Sequence, residues 1–453
     1  MAFKTQAVAA AVALLCTGHA AAQQAPAETT LQEVRVQGDT AADVGYAAPT
    51  AKSATKIEAP LRDIPQTVNV VPQQLMRDQA VQSMQDVLKA VPGIGLSHGD
   101  GQRDQVTIRG FSAIADQFVD GVRDDALYFR DLSNVEQVEV LKGPASVLYG
   151  RGSSGGLINR ITKKPGIDRS EVGLTLGSWN QRRGEFDLAR APQDSIVSYR
   201  LTGAIERADS YRDQQFLDRK ALAGSVQFKF SADTQLLLQA DYLKDSRLTD
   251  FGIPAFQGRP VNVSPRTYFG AANARDTDVS TSEVYSASAT LSHRFNDSLS
   301  LRNVLRYYDY SLDRSNTLVG SVNEKAQTAT LNRGHLERNE HGFFNQLELT
   351  QKLDLAGMQH QVLYGLELGR QNKGLLSISQ SNVGTVSLFN PVLPVVSPVL
   401  TAAPSANNDS VFSVASAYVQ DMVTLAPEWK LLAGVRYDRF RQETDNYTPG
   451  SVN

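Results

Sequence analysis

The sequence predicts a compact α+β domain over residues 53–165, followed over residues 166–453 by an antiparallel sheet of the transmembrane-barrel type. Three observations lead there. A secretory address opens the chain, a region of short strands and glycine turns follows, and the remainder alternates apolar and polar residues with a period of two. Alternation over roughly 10 residues, apolar outward and polar inward, is the pattern of barrel strands. A soluble β-sandwich alternates as well, so the choice rests on the address and on the domain that precedes the strands.

The address comes first. Lys4 precedes an apolar run from Ala7 to Leu15, then Thr17, Gly18 and the small residues Ala20, Ala21 and Ala22. A basic start, a short apolar core and an A-x-A site describe a signal peptide over residues 1–22. A membrane anchor needs about 20 apolar residues, and Leu15 stands before Cys16 where a lipoprotein signal requires a small residue. Cleavage after Ala22 removes the single cysteine. The mature chain then has no disulfide, thiol nucleophile or thiolate metal site. The net charge of -3 gives no sign of a nucleic-acid partner, and no later stretch is apolar enough for a transmembrane helix.

Residues 23–52 are rich in Ala, Gln, Pro and Thr, a composition that suits a flexible tether. Inside it, Leu31, Gln32, Glu33, Val34, Arg35 and Val36 alternate with a period of two. An extended segment on a loose tether can add a strand to the edge of a partner's sheet.

In the compact domain, residues 67–71 read as a short strand ended by Pro72. Ser83 followed by Asp86 forms a capping box that opens a helix burying Val87, Leu88 and Val91, and Pro92-Gly93 stops it. Asp120-Gly121 between apolar residues is a hairpin signal. Gly150, Gly152 and Gly155 match the G-x-G-x-x-G pattern of dinucleotide sites, which needs a strand before and a helix after. Residues 157–161 are β-like instead, so the glycines read as tight turns. His98, His293, His335, His341 and His360 lack ligand spacing. Glu337 and Glu340 lie near His335 and His341, but a solvated hairpin accounts for them, and His19 leaves with the signal peptide. No Ser/His/Asp or paired-carboxylate pattern marks an enzyme.

Residues 106–165 carry five short motifs in order: IRGF at 108–111, VDG at 119–121, VEVLKGP at 138–144, LYG at 148–150 and GGLIN at 155–159. The run resembles the plug domain of TonB-dependent outer-membrane receptors. That resemblance implies an α+β plug domain inside an antiparallel transmembrane β-barrel, in the outer membrane of a Gram-negative cell. It decides for the barrel over the sandwich. Leu31–Val36 is similar to a TonB box, which in the family recruits TonB of the TonB–ExbB–ExbD complex.

The implied function is binding of a ferric siderophore, in particular a catecholate, outside the cell and its TonB-coupled import. Iron is then substrate rather than cofactor, and the protein is a monomer surrounded by outer-membrane lipid. The alternatives are a receptor for haem or a copper chelate, and a passive porin-like barrel.

The resemblance also assigns site residues. Outward loops at 98–105, 113–117 and 123–130 would present Arg103, Arg123 and Arg130 as positive charge, with Tyr128 and Phe129 as flat apolar faces. Arginine forks and aromatic stacking suit an anionic aromatic chelate. The plainer alternative pairs these arginines with Asp104, Asp124, Asp125 and Asp131. Arg109 and Lys142 are expected to tie the plug to carboxylates on the barrel wall. Lys142 replaces the arginine of some relatives, which puts bidentate pairing there in doubt.

Beyond Pro165, the alternating sets include Val172/Leu174/Leu176, Val226/Phe228/Phe230, Leu236/Leu238/Ala240/Tyr242, Val362/Tyr364/Leu366/Leu368 and Leu431/Ala433/Val435/Tyr437. They amount to about twelve strands, to within two or so. Residues 250–278 and 374–409 read as extracellular loops, and Asn296-Asp297 as a periplasmic turn. A barrel wide enough for a plug has about 22 strands. The expectation is therefore the N-terminal part of a longer receptor.

Overall fold

The computed structural model describes residues 45–448 and 450, apart from residues 47, 58, 98–100 and 153. The expected signal peptide (residues 1–22) and Leu31–Val36 lie outside the described residues.

The N-terminal domain is built on a five-stranded mixed sheet. Its order is Thr67–Pro72, Val135–Lys142, Gly156–Thr162, Gln117–Val119 and Val122–Arg123. Gly156–Thr162 pairs antiparallel to Val135–Lys142 and parallel to Gln117–Val119. The two central strands bury both faces, because successive side chains point to opposite sides. Val138, Val140 and Ile158 join one apolar cluster with Val71, Met84 and Leu88. Leu141 and Leu157 join another, which also contains Leu363 and Tyr418 of the second part of the chain. One face of the sheet thus closes the domain's own core, and the other lies against the wall.

Local sequence signals explain the smaller elements. Ser83 Oγ accepts the Asp86 N–H at 3.2 Å at the start of the helix Met84–Lys89. That helix ends before Pro92-Gly93, so Val91 is buried from the following loop. Asp120 and Gly121 have φ of 50° and 84° and join strands in which Val119 faces Val122. Both central residues at positive φ make this a type I′ turn, the form that matches strand twist.

Residues 169–446 form an eleven-stranded sheet, each strand paired with its sequence neighbours. All ten pairings are antiparallel. The strands run from Arg169–Leu176 to Trp429–Asn446. Val172 is 85% exposed and Leu366 54%, whereas the inward Asp187, Arg200, Glu206 and Glu367 are buried. Apolar side chains outside and charged ones inside invert the water-soluble pattern and match a barrel wall facing lipid. Among the described residues the first and last strands pair on one side only, so the sheet is an open part of a barrel.

The strands number eleven among the described residues, within the expected range around twelve. One expectation changes in detail: residues 374–387 and 404–409 are paired strand rather than loop. Met358–Ser387 runs for 30 residues and Gly374 faces Asp409, leaving only residues 388–403 between the strands. At about 3.3 Å per residue such a strand far outruns an apolar band of about 25 Å. Its outer half projects beyond lipid, where both faces can be polar, and that polarity resembles a loop in the sequence. Residues 249–278 do leave the wall, with a small hairpin at Ala255–Phe256 and Arg259–Pro260 and a helical turn at Ala274–Thr277.

Candidate functional site: an outer pocket over an ion-paired interface

At the end of the sheet bearing the longer connections, a cavity of about 460 Å³ opens between the N-terminal domain and the wall. Phe129 and Gly101 line it from the domain, with Trp179, Tyr211, Phe216 and Arg247 from the wall and its loops. Three guanidinium groups lie over its rings, Arg247 in the lining and Arg212 and Arg275 beside it. Arg247 lies 3.8 Å from the Phe129 centroid, Arg212 5.5 Å from Tyr211 and Arg275 5.7 Å from Phe216. Each also pairs with a carboxylate: Arg247 with Asp245 at 2.6 Å, Arg212 with Asp250 at 2.5 Å and Arg275 with Asp209 at 2.8 Å. Flat π faces with arginines fixed beside them suit an aromatic ligand, while Glu206, Asp209 and Asp250 in the lining offset the positive charge.

Beneath the pocket the residues expected to face outward take other positions. Tyr128, Phe129, Arg123 and Arg130 are all buried. Arg130 donates from Nε to Asp124 at 3.1 Å and lies 3.5 Å from Asp104. Arg123 donates to the carbonyls of Ala115 at 2.8 Å and Tyr149 at 3.0 Å. The Tyr128 hydroxyl donates to Asp124 at 2.9 Å. Outward display of charge by Arg123 and Arg130 is thus corrected. A guanidinium cannot be left unpaired in a closed interior, and neighbouring acids and carbonyls satisfy these. Phe129 reaches the pocket from below, and the half-buried Arg103 donates to Gln105 at 3.1 Å.

Asp124 is the centre of this interface. It accepts from Arg130 and Arg160 of its own domain and from Arg306 of the seventh wall strand, Leu299–Asn323, at 3.1 Å. Burial alone would raise its pKa, but Arg130, Arg160 and Arg306 together hold it well below the usual carboxylate range. Asp131 is held low in the same way, against burial, by Arg183 and Arg219 of the wall. Asp104, equally enclosed and less well paired, is raised by burial.

Further pairs join domain to wall. Lys56 meets Glu348 at 2.7 Å, Asp125 meets Lys373 at 3.3 Å and Lys163 meets Asp187 at 3.0 Å. Arg109 and Lys142 are not among them. Arg109 is exposed, and Lys142 donates to the Pro92 carbonyl. Neither has a carboxylate partner among the described residues. Burial, and then the neighbouring Arg109, push the Lys142 ammonium below its ordinary value. Among the described residues, the ties between domain and wall are these other pairs.

The glycine motif also resolves into packing. Gly150 follows the helical turn Ser146–Tyr149 with φ of 68°, and the strand Gly156–Thr162 comes after the motif in place of a helix. A Cβ on Gly155 would fall 2.2 Å from the Ile108 carbonyl oxygen. Arg151 within this loop lies 4.4 Å from the Phe440 centroid on the wall.

Sequence reasoning missed the wall residues Arg183, Arg219, Arg306, Glu348 and Lys373. The available signal was register. Leu305 and Tyr307 are exposed on the lipid side, so Arg306 between them must point inward.

Comparisons with known proteins agree with this architecture. The family described as "TonB-dependent Receptor Plug Domain" matches residues 60–157, and "TonB dependent receptor-like, beta-barrel" matches residues 223–453. The metal-pseudopaline receptor CntO of Pseudomonas aeruginosa is 29% identical over 450 residues, covering 95% of this chain and 62% of that receptor. The catecholate siderophore receptor Fiu of Escherichia coli is 28% identical, covering 88% of this chain and 56% of its own length. The crystal structure of the siderophore receptor PiuA from Acinetobacter baumannii superposes with a TM-score of 0.80 at 27% identity, over 87% of this chain and 60% of that one. The chain thus spans less than two thirds of the length of these relatives. Plug and wall together show that it belongs to the family of TonB-dependent receptors, the β-barrel proteins of the outer membrane.

Proposed function

We propose that this chain is the plug and part of the barrel of an outer-membrane receptor that binds a ferric siderophore outside the cell and imports it by TonB-coupled energy. The observation that carries the reading is the outer pocket, where Phe129, Trp179, Tyr211 and Phe216 meet arginines above an ion-paired plug. The relatives named as catecholate and siderophore receptors support the ligand class. Leu31–Val36 would engage TonB of the TonB–ExbB–ExbD complex, and further strands would complete the barrel around a monomer in outer-membrane lipid. The residues assigned to the ligand are then Phe129 and Arg247 at the pocket, with Arg103 on the apical loop. Arg123, Tyr128 and Arg130 support them from below.

A second reading, uptake of a different metal chelate, is favoured by the acids in the pocket. Glu206, Asp209 and Asp250 line it beside Arg247, which suits a ligand with less negative charge than a catecholate complex. The relative that binds metal-pseudopaline supports it. Growth of an iron-starved strain on defined ferric catecholates separates the two. The first reading expects growth with the full-length gene and none after deletion of residues 31–36. Growth that survives the deletion would count against energy coupling, and growth restored only by other metal chelates would favour the second reading.

A further inference from the structure

On the opposite side of the plug lies a cavity of about 380 Å³, within the range of small-molecule sites, about 300–1,000 Å³. Its wall residues Gln227 and Gln235 flank the connection between strands Phe216–Lys229 and Thr234–Leu248. Thr290 and Ser292 lie near the end of Val279–Asn296, where only two residues separate it from Leu299. Short connections mark the periplasmic rim of such barrels, so this cavity faces inward and the aromatic pocket outward.

Its charge is one-sided. Lys52, Lys56, Lys164 and Arg302 line it, against Asp120 alone. Lys164 pairs with Asp120 at 2.5 Å, while Lys56 and Arg302 share Glu348 at 2.7 and 2.9 Å. Counting Glu348 still leaves cations in excess. Apart from Leu237, the rest of the wall offers amides and hydroxyls, which both donate and accept without charge. A cleft of one sign with low-dielectric walls concentrates ions of the other sign.

We propose that this cavity is an inner vestibule for an anionic metal chelate, a transient anion site on the inward side of the plug through which cargo leaves between the Asp120-Gly121 turn and the fourth to seventh wall strands. The inference rests on the import reading above and adds the side of the plug and the charge selectivity of the exit.

The test introduces charge of either sign at neutral wall positions outside the ion-paired contacts. Thr290→Glu/Ser292→Glu and Thr290→Lys/Ser292→Lys are made in the full-length receptor. Outer-membrane abundance and surface binding of a ferric catecholate are measured beside uptake of radioiron from the same complex. The glutamate pair is expected to lower uptake roughly tenfold with surface binding unchanged, and the lysine pair to keep uptake within about twofold. Equal uptake in both pairs, or equal loss in both, would overturn the vestibule. Failure of the wild type to bind any ferric catecholate would instead overturn the import reading, and the vestibule with it.

Discussion

At Asp124 one carboxylate meets Arg130, Arg160 and Arg306. Removing its charge leaves three guanidinium groups facing each other in a closed interior, and breaking a buried pair costs about 3–5 kcal/mol. Asp124→Asn is expected to lower plug–wall stability by that order, read as earlier proteolysis of the plug on heating outer membranes. The folded pKa of Asp124 lies below its unfolded value, near about 3.9. Its stabilisation is therefore present above the unfolded pKa and is lost as pH falls toward the folded one. The Asp124 contribution, read as the difference in proteolysis between wild type and Asp124→Asn, should be constant from about pH 5 to 8 and shrink only below about pH 4. The pairing of arginines with neighbouring acids was legible as the alternative reading of residues 123–130. Arg306 was not, because it stands 182 positions away and only the curvature of the wall brings it in.

Among the elements, the central plug strand Gly156–Thr162 depends on its first residue. Gly156 has φ of 140°, and a Cβ there would fall 2.0 Å from the Leu141 carbonyl oxygen. Gly156→Ala is expected to cost at least about 1–3 kcal/mol, the usual range for overpacking, while Gly110→Ala, with φ of 85° and nothing within 4 Å of its Cβ, meets only backbone strain. Melting of the plug in the full-length receptor compares the two. Equal effects would show that the close approach to Leu141 is unimportant. Such elements were legible where a local rule governs them: the Ser83 cap, the Asp120-Gly121 turn and the two-period strands. The Gly374–Asp409 region was not, since paired strands beyond the bilayer carry no apolar face to mark them.

For the whole molecule, the inverted pattern of exposed Val172, Leu366 and Val435 around buried Arg200, Glu206 and Glu367 ties the sheet to lipid. The sequence motifs identified a plug, but which side of it meets which strand follows only from the curvature of the sheet and from charges distributed over hundreds of residues. The same holds for the two cavities, one aromatic and outward, the other basic and inward. An importer needs both a ligand site outside and energy delivered from inside, so the central claim is that binding and transport separate. The direct measurement is radioiron from a ferric catecholate, bound at the surface and accumulated inside, for the full-length receptor with and without residues 31–36. The account predicts unchanged surface binding and loss of accumulation after the deletion. Accumulation at the undeleted level would contradict it.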